Sequence, residues 1–360
     1  MRFHHILRNG AVFVIASSLG LAAVEEEAVG GSPEDEEEDT PPPKPKKKGK
    51  KAKYGEAGPS GAKRRFGGRR MSTSTRGGGG DVVDPDEPML YALTWAQPQR
   101  YGIAPSPRNG HTMVLIGMQL YIFGGGDETV SFNDVHTLHV GTMTWDKPIV
   151  HGTLPSPRAR HSATAVGNNM VVFGGVGGGN DLHILETDTL TWYIPKVGGE
   201  PPLPRFGHTA TLVESKADQT RKLYIFGGHD GSQYRNDLLV FNLETRTWIL
   251  DLDVTGEGPS PRDAHAAVLH GEYMYVFGGY DSKRYLNDFH RFHFETLTWS
   301  AVAYAGVAPS PRGGHTAVVH NDAMLVFGGC DGWNYFNDCH AFSFEAREWA
   351  PVRVTGTAPG

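Results

Sequence analysis

Residues 261–299 read PRDAHAAVLHGEYMYVFGGYDSKRYLNDFHRFHFETLTW. A Pro261-Arg262 step with His265 three residues on enters an apolar run that ends in Phe277-Gly278-Gly279. An Asn287-Asp288 pair follows, and the segment closes on Thr298-Trp299. The chain writes this unit five times. The first copy has Pro107-Arg108, His111, Phe123-Gly124-Gly125, Asn133-Asp134 and Thr144-Trp145, and the second has Pro157-Arg158, His161, Phe173-Gly174-Gly175, Asn180-Asp181 and Thr191-Trp192. The third has Pro204-Arg205, His208, Phe226-Gly227-Gly228, Asn236-Asp237 and Trp248, and the fifth has Pro311-Arg312, His315, Phe327-Gly328-Gly329, Asn337-Asp338 and Trp349. The motif histidines are 50, 47, 57 and 50 residues apart, a period that marks a repeat protein. The long step holds an insertion, Glu214 to Arg221, of a size a surface hairpin absorbs.

Each unit resolves into four short runs separated by turn residues. In the first copy they are His111 to Ile116, Leu120 to Phe123, Val135 to Val140 and Thr144 to Pro148. Four strands per period with no amphipathic helix predict an all-β propeller blade. The 47 glycines and 24 prolines, about a fifth of the chain against a usual ~12%, fit many tight turns. A strand ending in Gly-Gly adopts positive φ and admits a neighbouring backbone where a side chain would clash. The recurrent Trp and Phe are expected to fill the gap between adjacent blades. The five motif arginines are expected to bond carbonyls between blades, since a guanidinium offers several fixed donors.

With these residues in view, the chain resembles the kelch repeat family of β-propellers over residues 86–360, with repeats at about 96–145, 146–192, 193–248, 249–299 and 300–349. The resemblance implies that the strand after Arg-x-x-His is innermost and the Trp strand outermost. It also implies that partner contacts lie on the loops after Gly-Gly and those entering Pro-Arg. The expected fold is a kelch-type propeller of five complete four-stranded repeats plus an incomplete sixth blade. Leu93-Thr94-Trp95 matches an outermost strand, and Gly356-Thr357-Ala358-Pro359 matches Gly306-Val307-Ala308-Pro309. C-terminal strands are therefore expected to join the Trp95 strand and close the ring. The incomplete sixth copy further suggests a truncated form.

The remaining chain differs in kind. Residues 25–85 hold an acidic block (Glu25 to Asp39), a Pro/Lys block (Pro41 to Lys53) and an Arg/Ser/Gly block (Arg64 to Gly80), a composition that predicts disorder. Residues 1–24, with Arg2 and Arg8 before an apolar stretch from Ala11 to Val24, read as a signal or targeting segment too short for a membrane span. Two cysteines and no Asn-x-Ser/Thr acceptor argue against secretion. A cytoplasmic protein is expected, with nuclear and secretory placement as alternatives. The net charge of -6 singles out no partner class.

Motifs that invite chemistry are better read as architecture. His111, His161, His208, His265 and His315 share one repeat position, and five equivalent bases serve no reaction. His136, His183, His290 and His340 share another, just after Asn-Asp. No Gly-Lys-Ser/Thr follows the glycine clusters, as a phosphate loop needs, and neither Cys-x-x-Cys nor His-Glu-x-x-His is present. No cofactor, metal or small-molecule substrate is expected, and Cys330 and Cys339 read as ordinary thiols. Galactose oxidase shares the kelch fold, so a copper oxidoreductase is the enzymatic alternative. The basic residues within 44–76 are the nucleic-acid alternative, although no aromatic platform accompanies them.

Repetition also filters for function: positions identical in every copy serve the blade, and positions that vary are free for recognition. In the loops after Gly-Gly, Asp127, Asp230, Asp281 and Asp331 recur, as do Tyr234, Tyr285 and Tyr335, and are assigned to turn formation. The variable positions there include His229, Ser232, Gln233, Lys283, Arg284, Trp333 and Asn334; between Arg and His they include Asn109, Arg160 and Asp263. Partner binding is expected through Asn109, Arg160, His229, Gln233, Asp263, Lys283, Arg284, Trp333 and Asn334, dominated by Trp333 and the Lys283-Arg284 pair. The second copy has only Val176-Gly177-Gly178-Gly179 in its long-loop position, which predicts a low wall. The function read from the sequence is a non-catalytic protein-interaction scaffold.

Overall fold

The computed structural model describes residues 92–215 and 219–356, together with the backbone of 12–17 and 20–25. The rest of the targeting segment and the charged arm lie outside the described residues.

Five blades follow one another along the chain. Blade 1 runs Thr112–Ile116, Gln119–Phe123, Val135–His139 and Thr144–Asp146, each strand antiparallel to the last. Blades 2 to 5 begin at Ser162–Val166, Thr209–Glu214, Ala266–His270 and Thr316–His320 and repeat the meander. These inner strands lie side by side in chain order. The second strands are apolar on both faces, as in Met170 to Phe173, because each is covered by a neighbouring blade on either side. The insertion of the third repeat extends the hairpin between its first two strands to the pair Glu214 and Arg221.

Four blades add a short strand that the sequence reading did not anticipate. Tyr101–Gly102 runs parallel to Thr144-Trp145, and His151–Gly152, Thr255–Gly256 and Ala305–Gly306 do the same in blades 2, 4 and 5. The glycine is required: a Cβ on Gly102, Gly152, Gly256 or Gly306 would lie 1.9 to 2.1 Å from the adjacent Trp carbonyl oxygen.

Arg353–Gly356 pairs in this same parallel way with Ala92–Ala96, setting Gly356 against Trp95. C-terminal residues thus join the Trp95 strand, as expected. The backbone of Val12–Ser17 and Gly20–Glu25 adds a hairpin to that sheet, at the second- and third-strand positions. Among the described residues this sixth sheet has no inner strand.

The core is a series of layers between blades rather than one central mass. Its constant element is Phe of one blade against Trp of the next: Phe123 on Trp192, Phe173 on Trp248, Phe226 on Trp299 and Phe277 on Trp349, with ring centroids 4.9 to 5.2 Å apart.

The buried arginines depart from expectation. Arg158 Nη1 donates to Gly174 O at 3.1 Å and to Asp181 Oδ1 at 2.6 Å, and Nη2 donates to Asp181 Oδ2 at 2.8 Å, all within its own repeat. Arg108, Arg205, Arg262 and Arg312 bond Asp134, Asp237, Asp288 and Asp338 in the same way. The carboxylate of the Asn-Asp pair is the stronger acceptor, so it captures the guanidinium. What crosses between blades is the arginine's backbone carbonyl, which accepts from the second glycine of the preceding blade, as in Gly125 N to Arg158 O at 2.8 Å. The asparagine also crosses, with Asn180 Nδ2 donating to Pro202 O at 2.8 Å.

Candidate functional site

At the end of the propeller where the Gly-Gly loops and the Pro-Arg steps meet, the residue after each motif arginine bridges to the residue after Gly-Gly. The pairs are Asn109 with Gly126, Ala159 with Val176, Phe206 with His229, Asp263 with Tyr280 and Gly313 with Cys330. The next residue inward closes a chain of backbone hydrogen bonds around the channel mouth. Arg160 N donates to Gly110 O, Gly207 N to Arg160 O, Ala264 N to Gly207 O and Gly314 N to Ala264 O, at 2.7 to 2.9 Å. All five residues have positive φ, between 54° and 69°. Arg160 and Ala264 hold this left-handed conformation without being glycine, which costs each ~1 kcal/mol or more.

The loops above this rim are fixed by their aspartates. Asp281 Oδ1 accepts from the backbone N–H of Lys283 and Arg284, and Asp331 Oδ1 from those of Trp333 and Asn334, at 2.7 to 2.9 Å. Asp127 and Asp230 do the same in their loops. Burial opposes ionisation of Asp230, but these N–H donors and Arg235 outweigh it and hold its pKa at about 2. The assignment of the aspartates to turn formation therefore stands in the geometry. The tyrosines behave differently. Tyr234 packs on His229 and Tyr280, with centroids 4.6 and 5.8 Å apart, and Tyr285 packs on Tyr280 at 4.9 Å. With Phe206 on His229 at 5.2 Å they form an aromatic arc across blades 3 and 4. Tyr335 is 93% exposed. Recurrence in three copies hid Tyr234 and Tyr285 from the sequence filter, although the varied column Gly126, Val176, His229, Tyr280 and Cys330 carried the signal for Tyr280.

Several of the sequence-derived candidates meet. Lys283, Arg284 and Trp333 line one cleft of about 580 Å³ with Tyr280, Tyr285 and Asp331. Trp333 is 93% exposed. Asn334 lies in the same loop, its Nδ2 donating to Asp331 Oδ2 at 3.1 Å. Arg160 and Asp263 come from blades 2 and 4 and face each other, Arg160 Nη1 standing 3.8 Å from Asp263 Oδ2. His229 is tied into its loop through Nδ1, which accepts from Gly231 N at 2.9 Å. Gln233 is exposed on that loop, while Asn109 is exposed beside Gly126 on blade 1, apart from the cleft. The second blade connects its middle strands with residues 174–181 where blade 1 uses 124–134, so its wall is low as expected.

The histidine columns lie beneath this face. His161 Nε2 bonds Thr112 Oγ1 of the preceding blade at 2.7 Å, His208 bonds Ser162 Oγ at 2.8 Å and His265 bonds Thr209 Oγ1 at 3.0 Å. Burial and the nearby arginines push His111 and His315 down to about 3, so both rings are uncharged at neutral pH. His136, His183, His290 and His340 bond the aspartates that hold the arginines. Among the described residues no group of three or more His, Cys, Asp or Glu is placed to hold a metal. Both cysteines are unpaired, and burial pushes the Cys339 thiol up to about 12.

A family model described as the KLHDC2/KLHL20/DRC7 Kelch-repeats domain matches residues 66–217 and 177–360. The chain belongs to the kelch-repeat family. Kelch domain-containing protein 3 of Bos taurus is 32% identical over 232 residues, 59% of this chain and 47% of the relative. Rab9 effector protein with kelch motifs of Bos taurus is 44% identical over 82 residues, 22% of each chain. Acyl-CoA-binding domain-containing protein 4 of Arabidopsis thaliana is 39% identical over 88 residues, 24% of this chain and 13% of the relative. The kelch chain thus aligns with less than half the length of each of these proteins. No helix among the described residues is long and apolar enough to cross a membrane.

Proposed function

We propose that this kelch propeller is a non-catalytic protein-interaction scaffold that binds a partner segment on the loop face of blades 3 to 5. The observation that carries the reading is the convergence of Lys283, Arg284 and Trp333 on one cleft, with Trp333 93% exposed. Asp281 and Asp331 close these turns mainly through backbone N–H groups, to which Arg284 adds only a 3.9 Å ion pair with Asp281 Oδ2 and Asn334 one hydrogen bond to Asp331 Oδ2. An exposed Trp beside an Arg and a Lys is the composition of an interface hot spot. The unpaired thiols support a cytoplasmic setting.

Affinity capture with the wild-type chain against a Lys283→Glu, Arg284→Glu, Trp333→Ala variant tests this. The variant is expected to lose the specifically captured proteins, and equal recovery by both would place the binding face elsewhere. Stoichiometric copper in purified protein would instead favour the oxidoreductase alternative. Salt-sensitive retention of RNA or DNA that depends on residues 44–76 would favour the nucleic-acid alternative.

A further inference from the structure

Two side chains at the mouth depart from what the repeat requires, and they point at one another. At the position of Asp263 the other blades carry Asn109, Ala159, Phe206 and Gly313, so the blade needs no carboxylate there. At the position of Arg160 they carry Gly110, Gly207, Ala264 and Gly314, so it needs no guanidinium, and the backbone there favours glycine. The two meet over Gly207, whose missing Cβ would lie 3.1 Å from Asp263 Oδ2.

The Asp263 side chain is 8% exposed, and among the described residues no hydrogen-bond donor is recorded for its carboxylate. Arg160 Nη1, at 3.8 Å, stands outside the ~3.2 Å reach of a hydrogen bond and keeps 58% of its side chain in solvent. Desolvating a carboxylate this far without a donor from the fold costs free energy that the blade does not recover. The other ionisable groups in its field are His229, Tyr234 and Tyr285. Beside it runs the arc of Phe206, His229, Tyr234 and Tyr280, whose ring faces attract cations.

We propose that Asp263 is the counter-ion for an arginine side chain carried by the partner segment, and that Arg160 holds its place until that segment docks. This rests on the reading of the mouth as a protein-binding face. A guanidinium fits better than an ammonium because its planar fork bonds both carboxylate oxygens while its face lies on an aromatic ring. Arg160 is already largely solvated, so its release exposes little new charge. Tyr280 and Tyr285 connect this subsite to the Lys283-Arg284 cleft, so the segment that fills both carries a cation followed by an anion.

The test titrates the full chain with Ac-Gly-Arg-Gly-NH2 and with its neutral citrulline isostere, following the mouth residues by NMR. The arginine peptide is expected to bind at least about tenfold more tightly than the citrulline one. Asp263→Asn should remove that preference, whereas Arg160→Ala should strengthen arginine binding about threefold by removing the resident competitor. Equal binding of the two peptides, or no binding to both wild type and Arg160→Ala, overturns the proposal. So do variants that shift in the same direction, as a purely structural Arg160–Asp263 latch would require. An Asp263-dependent arginine preference alongside unchanged protein capture by the cleft variant would sink the broader reading and leave this subsite standing. The reverse pattern would sink only the subsite.

Discussion

The ring of Phe327 lies 5.0 Å from that of Trp95, so the fifth blade packs on the strand that opens the described propeller. It is the same Phe-to-Trp contact that joins the other blades, made here between the two ends of the repeat region. Trp95 is 3% exposed, and Trp95→Ala is expected to cost roughly 3 to 5 kcal/mol, read as a lowered urea midpoint. Because the two rings touch, Phe327→Ala on top of it should cost less than it does alone, by about 0.5 to 1.5 kcal/mol. Strict additivity would mean that the contact does not hold the ends together.

His315 is the motif histidine whose neighbour fails it. In the three preceding blades a hydroxyl from Thr112, Ser162 or Thr209 meets Nε2, but the matching residue on blade 4 is Ala266, and among the described residues the buried His315 Nε2 has no hydrogen-bond partner. Ala266→Ser supplies the missing hydroxyl on an inner strand that accepts serine at the same place in blade 2. It is expected to stabilise the protein by about 1 kcal/mol. A thermal melt that falls instead would show that the site has no room for the oxygen.

How much of this was legible in the sequence depends on whether the determinant repeats. The blade strands, the Phe–Trp packing and the structural histidines could be read because each recurs at a fixed interval and a repeat position has one physical job. The partner of Arg158 could not: Asp181 is 23 residues away, and only the fold shows that it outcompetes carbonyls of the neighbouring blade. The parallel Gly strands were too short to leave a periodic pattern. At the mouth, Lys283, Arg284 and Trp333 stood out as varied positions, but their convergence comes from two different blades. Tyr234 and Tyr285 were set aside because they recur, although a recurring residue in a loop also faces whatever the loop surrounds.

The aspartates that hold the buried arginines make stability depend on acid. Burial opposes the charge of Asp181, but the hydrogen bonds of Arg158 and His183 outweigh it and hold its pKa at about 2. Its unfolded value is about 3.9. A lowered carboxyl pKa contributes stability that is present above the unfolded value and lost as pH falls through the folded one. The melting temperature should therefore drop between about pH 4 and pH 2, and Asp181→Asn should flatten part of that slope. The same variant leaves the fully buried Arg158 uncompensated and should cost about 3 to 5 kcal/mol at neutral pH. An unchanged acid slope would show that folding does not lower the Asp181 pKa.

Asp263 should show the opposite pH dependence. Burial raises its pKa, only partly offset by Arg160 and His229. A carboxyl raised in this way stabilises most when protonated: its contribution is complete below the unfolded value of about 3.9 and is lost as pH rises through the folded one. Asp263→Asn removes that loss, so the variant should melt above wild type at pH 7 and converge with it below about pH 3.9. Comparison at each pH cancels the acid sensitivity shared by the arginine-bound aspartates. Arg160→Ala takes away the nearest cation, 3.8 Å off, and should lower the neutral-pH melt, while Arg160→Ala with Asp263→Asn should recover it. Tyr234 and Tyr285, with pKa values raised by burial, stay neutral through this range and do not contribute to the difference. If Asp263→Asn melts below wild type at pH 7, the carboxylate is a structural acceptor and its burial is already compensated.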